Sequence, residues 1–229
     1  MNISIFNGGR GASTIIKELM KYKDIKISSI VNTLDDGKST GQIRKIFNMF
    51  GPSDIRKVQS LYVTKSSDLK IFEYRFKEKK NYKILDEIEK YISDQNKTSI
   101  FNLKISNNKK SFFKDCLNIF INRFNEYKDI YSLYDWSLMN IIYAGCYIKS
   151  NRSTLDVIKQ IKNLFELKND VIAITNQNLF LSALRSNGDF LKDEASIVEM
   201  RSNEIIEDIY ISRQIISEDL IKTFGKNKK

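Results

Sequence analysis

Apolar and polar residues alternate over residues 2–6, and the run stops at two glycines, which predicts a β-strand. From Gly11 the period changes. Ile15, Ile16, Leu19 and Met20 fall on one face of a helix. Residues 25–33, with Ile25, Ile27, Ile30 and Val31, predict a second strand. Strand, helix and strand within about thirty residues make a right-handed βαβ unit, so the fold class is α/β with a parallel sheet. A polar loop with two glycines (residues 35–41) runs into a helix predicted over residues 42–49, and Pro52 opens another. Residues 69–76 mix aromatic and basic side chains. From 81 to 130 the pattern is helical and charged, with loops expected near 95–98 and 107–110 and a short strand at 99–105. Residues 77–135 therefore read as a helical insertion on one α/β domain covering residues 1–229.

Helices are predicted over residues 138–149 and 154–165, the second capped by Ser153 or Thr154. An apolar strand follows at 171–175. Residues 179–184 and 194–200 predict strands, with a turn at Asn187-Gly188. Residues 205–211 predict another strand, and 215–224 a short amphipathic helix before a lysine-rich end.

Composition narrows the chemistry. The chain has 229 residues, 41% of them hydrophobic and 29% charged, enough for one good-sized core. Histidine is absent, which excludes every Ser-His, Cys-His or His-metal mechanism within these residues. Two cysteines, Cys116 and Cys146, make neither a disulfide framework nor a zinc site and suit core packing in a reducing, cytoplasmic setting. The first residues do not read as a signal peptide, and no stretch has the roughly 18 apolar residues of a membrane span. The net charge is +10. The lysines alternate with acids along the helices, as at Lys83, Asp86, Glu87, Glu89 and Lys90, so we expect no specific nucleic-acid binding.

Three segments carry candidate chemistry. Asn7-Gly8-Gly9-Arg10-Gly11-Ala12-Ser13-Thr14 lies between a strand and a helix, where glycines let backbone approach an anion; it also reads as a plain tight turn. Asp35 and Asp36 lie at the end of the second parallel strand, where open α/β sheets bind ligands. They could hold magnesium, a ribose hydroxyl or a nucleophile's proton, or cap a loop. Ser39, Thr40 and Gly41 extend that loop, and Arg44 follows. Asp54 and Arg56 sit at a helix start, as ligand contacts or as a cap and its ion-pair partner. Arg75 lies between Tyr74 and Phe76.

Taken together, NGGRGASTIIKEL, IVNTLDDGKSTGQIRKIF and GPSDIRKVQSLYV resemble the CofD/YvcK superfamily, and the YvcK or gluconeogenesis-factor branch more closely than the CofD transferases. Phe72 to Phe76, Ser137 to Asn140 with Ala144-Gly145, Val171 to Thr175 and Gly188 to Ile197 resemble further segments of that family. This chain departs from the pattern at Lys38, Thr40, Ser53, Lys57, Trp136, Met139 and Asp193, and the family's later Gly-Pro-Gly segment is not among these residues. The resemblance implies a Rossmann-like three-layer sandwich with a mostly parallel sheet and a phosphate-containing ligand at the strand ends. In the YvcK branch it implies a nucleotide-sugar such as UDP-N-acetylglucosamine and a regulatory role in carbon metabolism and cell-wall growth. In the CofD branch it implies a magnesium-dependent transferase moving a phospholactyl-type group from a guanosine diphosphate carrier to a deazaflavin. On this reading Gly8, Gly9, Gly11, Ser13 and Thr14 hold the diphosphate, Asp35 and Asp36 meet hydroxyls or magnesium, and Asn140 and Arg75 complete the cleft wall, with Ser39, Thr40, Arg44, Asp54 and Arg56 around it. A relative that keeps the fold as an interaction module is the third reading, and a homodimer is a further expected partner.

Overall fold

A computed structural model describes residues 1–97, 99–199, 203–217 and 219. The chain opens with β1 (Asn2–Asn7), α1 (Ser13–Leu19) and β2 (Lys26–Val31), the anticipated βαβ unit. Next come α2 (Lys38–Phe47), α3 (Pro52–Leu61), α4 (Ser66–Glu73) and α5 (Asn81–Ile92). A small hairpin of β3 (Ser99–Ile100) and β4 (Leu103–Lys104) leads into α6 (Asn107–Phe124), α7 (Leu138–Lys149) and α8 (Thr154–Leu164). The rest is β5 (Asp170–Ala173), β6 (Phe180–Arg185), β7 (Phe190–Leu191), α9 (Glu194–Glu199) and β8 (Ile206–Ser212).

β1, β2 and β5 form a parallel sheet in that order, with Phe6 beside Ile30 and Ile30 beside Ile172. The fold is α/β and Rossmann-like. Both crossovers advance the sheet in one direction, and right-handed crossovers then place their helices on the same face. That face is buried at Ile27, Val31, Val171 and Ala173, and α3 packs on β2 and β5. The opposite face leaves Phe6 78% and Ile172 43% exposed. A second, antiparallel sheet runs β7-β6-β8. The anticipated turn at Asn187-Gly188, with Gly188 at φ +90, leads from β6 into the short β7 and not into a strand at 194–200.

α7 is the central helix of the core. Its residues 138–147 are all buried, which suits a helix that is apolar all round. α6 lies along it, with Phe113, Cys116, Leu117 and Phe120 buried. Both cysteines are free and buried. Ser153 caps α8 by accepting the N–H of Asp156, as read from the sequence.

Two expectations are corrected. The loop near 107–110 is the first turn of α6, because Lys109 is buried in an ion pair with Asp68 of α4 and not solvated. The strand at 194–200 is a helix, α9, over Glu194–Glu199. There Asp193 accepts hydrogen bonds from the N–H and the hydroxyl of Ser196, an N-cap that outweighs the strand preference of Ile197 and Val198. The helix expected over 215–224 lies largely outside the described residues.

Candidate functional site

Beyond the carboxyl end of β2, the acidic loop opens into a cleft of about 340 Å³. Its floor is the acidic loop and the start of α2 (Asp35, Ser39, Thr40), and α3 contributes Ser53 and Lys57. Arg75 and Asp135 form one side, and Glu194 and Ala195 of α9 the other. A larger hollow of about 800 Å³ lies elsewhere, beside exposed Lys80, Tyr82 and Lys128. Buried polar groups converge behind the strand-end cleft, which is the candidate site.

Hydrogen bonds hold the acidic loop from several directions. Asp35 accepts the N–H of Gly37 at 3.2 Å, and Asp36 accepts the N–H of Ala195 at 3.3 Å. Arg44 is 1% exposed and braces the loop from below. It donates to Leu34 O at 2.9 Å, to Asn178 Oδ1 at 2.9 Å and to Leu179 O, and stacks on Phe180. Gly41 is required by close approach, since a Cβ there would sit 2.2 Å from Asp36 O.

From the loop a chain of buried polar groups runs inward. The Thr40 and Ser53 hydroxyls meet at 2.5 Å. Ser53 accepts from Asn140 Nδ2 at 3.0 Å, and Asn140 Oδ1 accepts from Arg56 Nε at 3.0 Å. Arg56 also donates to Phe72 O at 2.8 Å. It is 4% exposed, and among the described residues no carboxylate lies within ion-pair distance. Burial first, and then the like charge of Arg75, lower its pKa to about 10, with Arg10 adding to the effect. The guanidinium stays charged at neutral pH, and Asp35 acts on it only from beyond ion-pair distance.

The carboxyls are pushed the other way. Burial, then the charge of Asp54, raises Asp35. Burial raises Asp36 against the opposing pull of Arg44. Glu194 is raised to about 7 by burial and then by Asp35 and Asp36. A group poised near neutral pH beside two carboxylates can hold or release a proton in the cleft.

The other anticipated residues are placed as follows. Gly9 has φ +86 and packs on Asp54, which pairs with Lys57 at 2.8 Å. Gly8, Gly11 and Thr14 are exposed, Ser13 is half-buried, and none of the four lines the cleft. Arg75 reaches Asp135, donating to its carbonyl at 2.6 Å. Arg56 and Asn140 join through one hydrogen bond, and Arg44 is turned to the Leu34 and Leu179 carbonyls and the Asn178 side chain. Sequence reasoning missed Glu194, Lys57 and Asp135 as cleft residues. The Asp193–Ser196 cap was the signal that could have turned α9 and its glutamate toward the loop.

The residues present do not by themselves build a magnesium centre. Asp35 and Asp36 open onto different clefts, and among the described residues no group of three acidic, cysteine or histidine side chains could hold a metal ion. Among the described residues no helix is long and apolar enough to cross a membrane.

Comparisons with known proteins agree with this architecture. The putative gluconeogenesis factor of Thermotoga maritima is 35% identical over 80 residues, 34% of this chain and 25% of that protein. That of Streptococcus pneumoniae is 38% identical over 82 residues, 33% of this chain and 24% of that protein. A solved UPF0052-family protein from Bacillus halodurans superposes with a TM-score of 0.62 at 18% identity, covering 96% of this chain and 54% of that one. The chain thus spans about half the length of its solved relative, and its alignments reach about a quarter of the curated ones. The family model described as 2-phospho-L-lactate transferase CofD matches residues 3–218, nearly the whole chain, which therefore belongs to the CofD family.

Proposed function

We propose that the strand-end cleft binds a nucleotide-sugar or a related phosphorylated metabolite and that the protein is a regulatory one of the gluconeogenesis-factor kind. One observation carries the reading. Arg56 is a buried cation with no carboxylate within ion-pair distance among the described residues, and Arg75 and Arg10 add charge of the same sign against the pull of Asp35. A phosphate bound in the cleft would offset that positive charge from across the Ser53–Asn140 link. Arg75, Lys57 and the serine and threonine hydroxyls at the mouth then orient the phosphate, and Asp35 accepts hydrogen bonds from sugar or ribose hydroxyls. The curated relatives named gluconeogenesis factors support a regulatory role in carbon metabolism. The resemblance extends that role to cell-wall growth and to a cytoplasmic protein.

Isothermal titration with UDP-N-acetylglucosamine, GDP and inorganic phosphate tests the reading. We expect saturable binding of the nucleotide ligands with no turnover, weakened at least tenfold by Arg75→Gln. Absence of binding by all three rejects it. A second reading, transfer of a phospholactyl-type group, is favoured by Glu194, whose carboxyl is poised to move a proton at neutral pH. Consumption of a guanosine diphosphate-linked donor, lost in Glu194→Gln, would select it.

A further inference from the structure

We propose that the hollow on the Asp36 side of the acidic loop is a second binding site, built for a small zwitterion of the α-amino-acid type. Asp36 opens into this hollow and Asp35 into the strand-end cleft, so the loop is a wall common to both. The hollow holds about 210 Å³. That is the liquid volume of about seven waters and lies below the roughly 300 Å³ at which pockets for drug-sized ligands begin. A molecule the size of an amino acid fits it, and a nucleotide does not.

Charges of both signs line the hollow, and each has capacity to spare. Arg44 is 1% exposed, and its Nε has no hydrogen-bond partner. Its other N–H groups go to carbonyls and to Asn178, and it lies 4.0 Å from Asp36 Oδ2. Lys45 of α2 and Lys192, just after β7, also line the hollow. Both are exposed, and among the described residues neither makes an ion pair. Asp36 uses Oδ1 for the Ala195 N–H, and Asp193 uses Oδ1 for Ser196. Among the described residues the second oxygen of each accepts no hydrogen bond. Phe180 and Ile215 add apolar surface. A simple anion would face two carboxylates here, and a simple amine would face three cations. A zwitterion answers both. Its carboxylate pairs with Lys45 and Lys192, with Arg44 adding to the positive field, and its ammonium donates to the free oxygens of Asp36 and Asp193. An apolar side chain then rests on Phe180 and Ile215. Asp36 also ties α9 to the loop through Ala195, so an occupant bears on the element that walls the cleft. The inference stands independently of the cleft's ligand.

Isothermal titration of the 229-residue chain with L-leucine, L-isoleucine, L-valine and L-methionine, each to about 10 mM, tests it. We expect saturable binding of at least one of them within that range. Analogues of the tightest binder that lack the ammonium or the carboxylate should bind at least tenfold more weakly. The double variant Lys45→Gln/Lys192→Gln should weaken binding at least tenfold with circular dichroism unchanged, whereas Arg75→Gln, in the cleft, should leave it at the parent's value. Absence of binding by all four overturns the proposal. So does binding of the singly charged analogues as tight as that of the amino acid. Binding lost in Arg75→Gln but kept in the lysine double variant also overturns it, by putting the ligand in the strand-end cleft.

Discussion

Replacing Asp68 with asparagine isolates a charge that the fold has buried. Lys109 is 3% exposed, and its ammonium lies 2.8 Å and 2.9 Å from the two Asp68 oxygens. In Asp68→Asn the ammonium keeps an amide oxygen and the Phe165 ring, 4.7 Å away, and loses its counter-charge. Removing one member of a buried pair costs about 3–5 kcal/mol, and the amide and ring contacts put this case at the lower end, about 3 kcal/mol. For a chain of this size each kcal/mol shifts Tm by about 2–4 °C, so differential scanning calorimetry should show a fall of about 6–12 °C. The double variant Asp68→Leu/Lys109→Met removes both charges and fills the space with apolar atoms. It should stay within about 1 kcal/mol of the parent. The reasoning is refuted if Asp68→Asn melts within about 2 °C of the parent, or if the double variant is as damaged as the single one.

Other outcomes follow from the cleft. Gly41→Ala should destabilise by about 1–3 kcal/mol, since its Cβ meets Asp36 O, whereas Gly11→Ala, in open space, should leave Tm unchanged; equal effects in denaturant titrations would contradict this. Glu194 binds its proton more tightly folded than unfolded, so its stabilising share is full at low pH and is lost as pH rises from about 4.5 to about 7. Glu194→Gln should flatten the stability–pH curve in that window, and an unchanged slope would show that its carboxyl is not perturbed. Asn140→Leu cuts the link from Ser53 to Arg56; ligand affinity should fall at least tenfold, and calorimetric titration giving the parent's affinity would remove the relay from the site.

Much of the fold was legible locally. The two-residue period of residues 2–6 and the helical period after Gly11 gave the βαβ unit, because alternation and helical spacing are properties of neighbours in the chain. The bounds of α7 and the cap at Ser153 were legible for the same reason. Other features depended on partners far away in sequence. α6 begins at Asn107 because Lys109 finds Asp68, 41 residues earlier, a contact invisible in a polar stretch that reads as a loop. Arg44 and Arg56 look alike in sequence, each beside an acidic motif. Tertiary structure separates them: Arg44 donates to Asn178 and Leu179, more than 130 residues on, and lies 4.0 Å from Asp36, while Arg56 is buried with no carboxylate at that distance among the described residues. Glu194 acquires its raised pKa only when α9 folds back over the acidic loop. A sequence encodes where a strand or helix can form through local sterics and periodicity. The charge state and availability of a polar group are set by burial and by the neighbours that long-range packing brings to it, and in this protein that is where the site was decided.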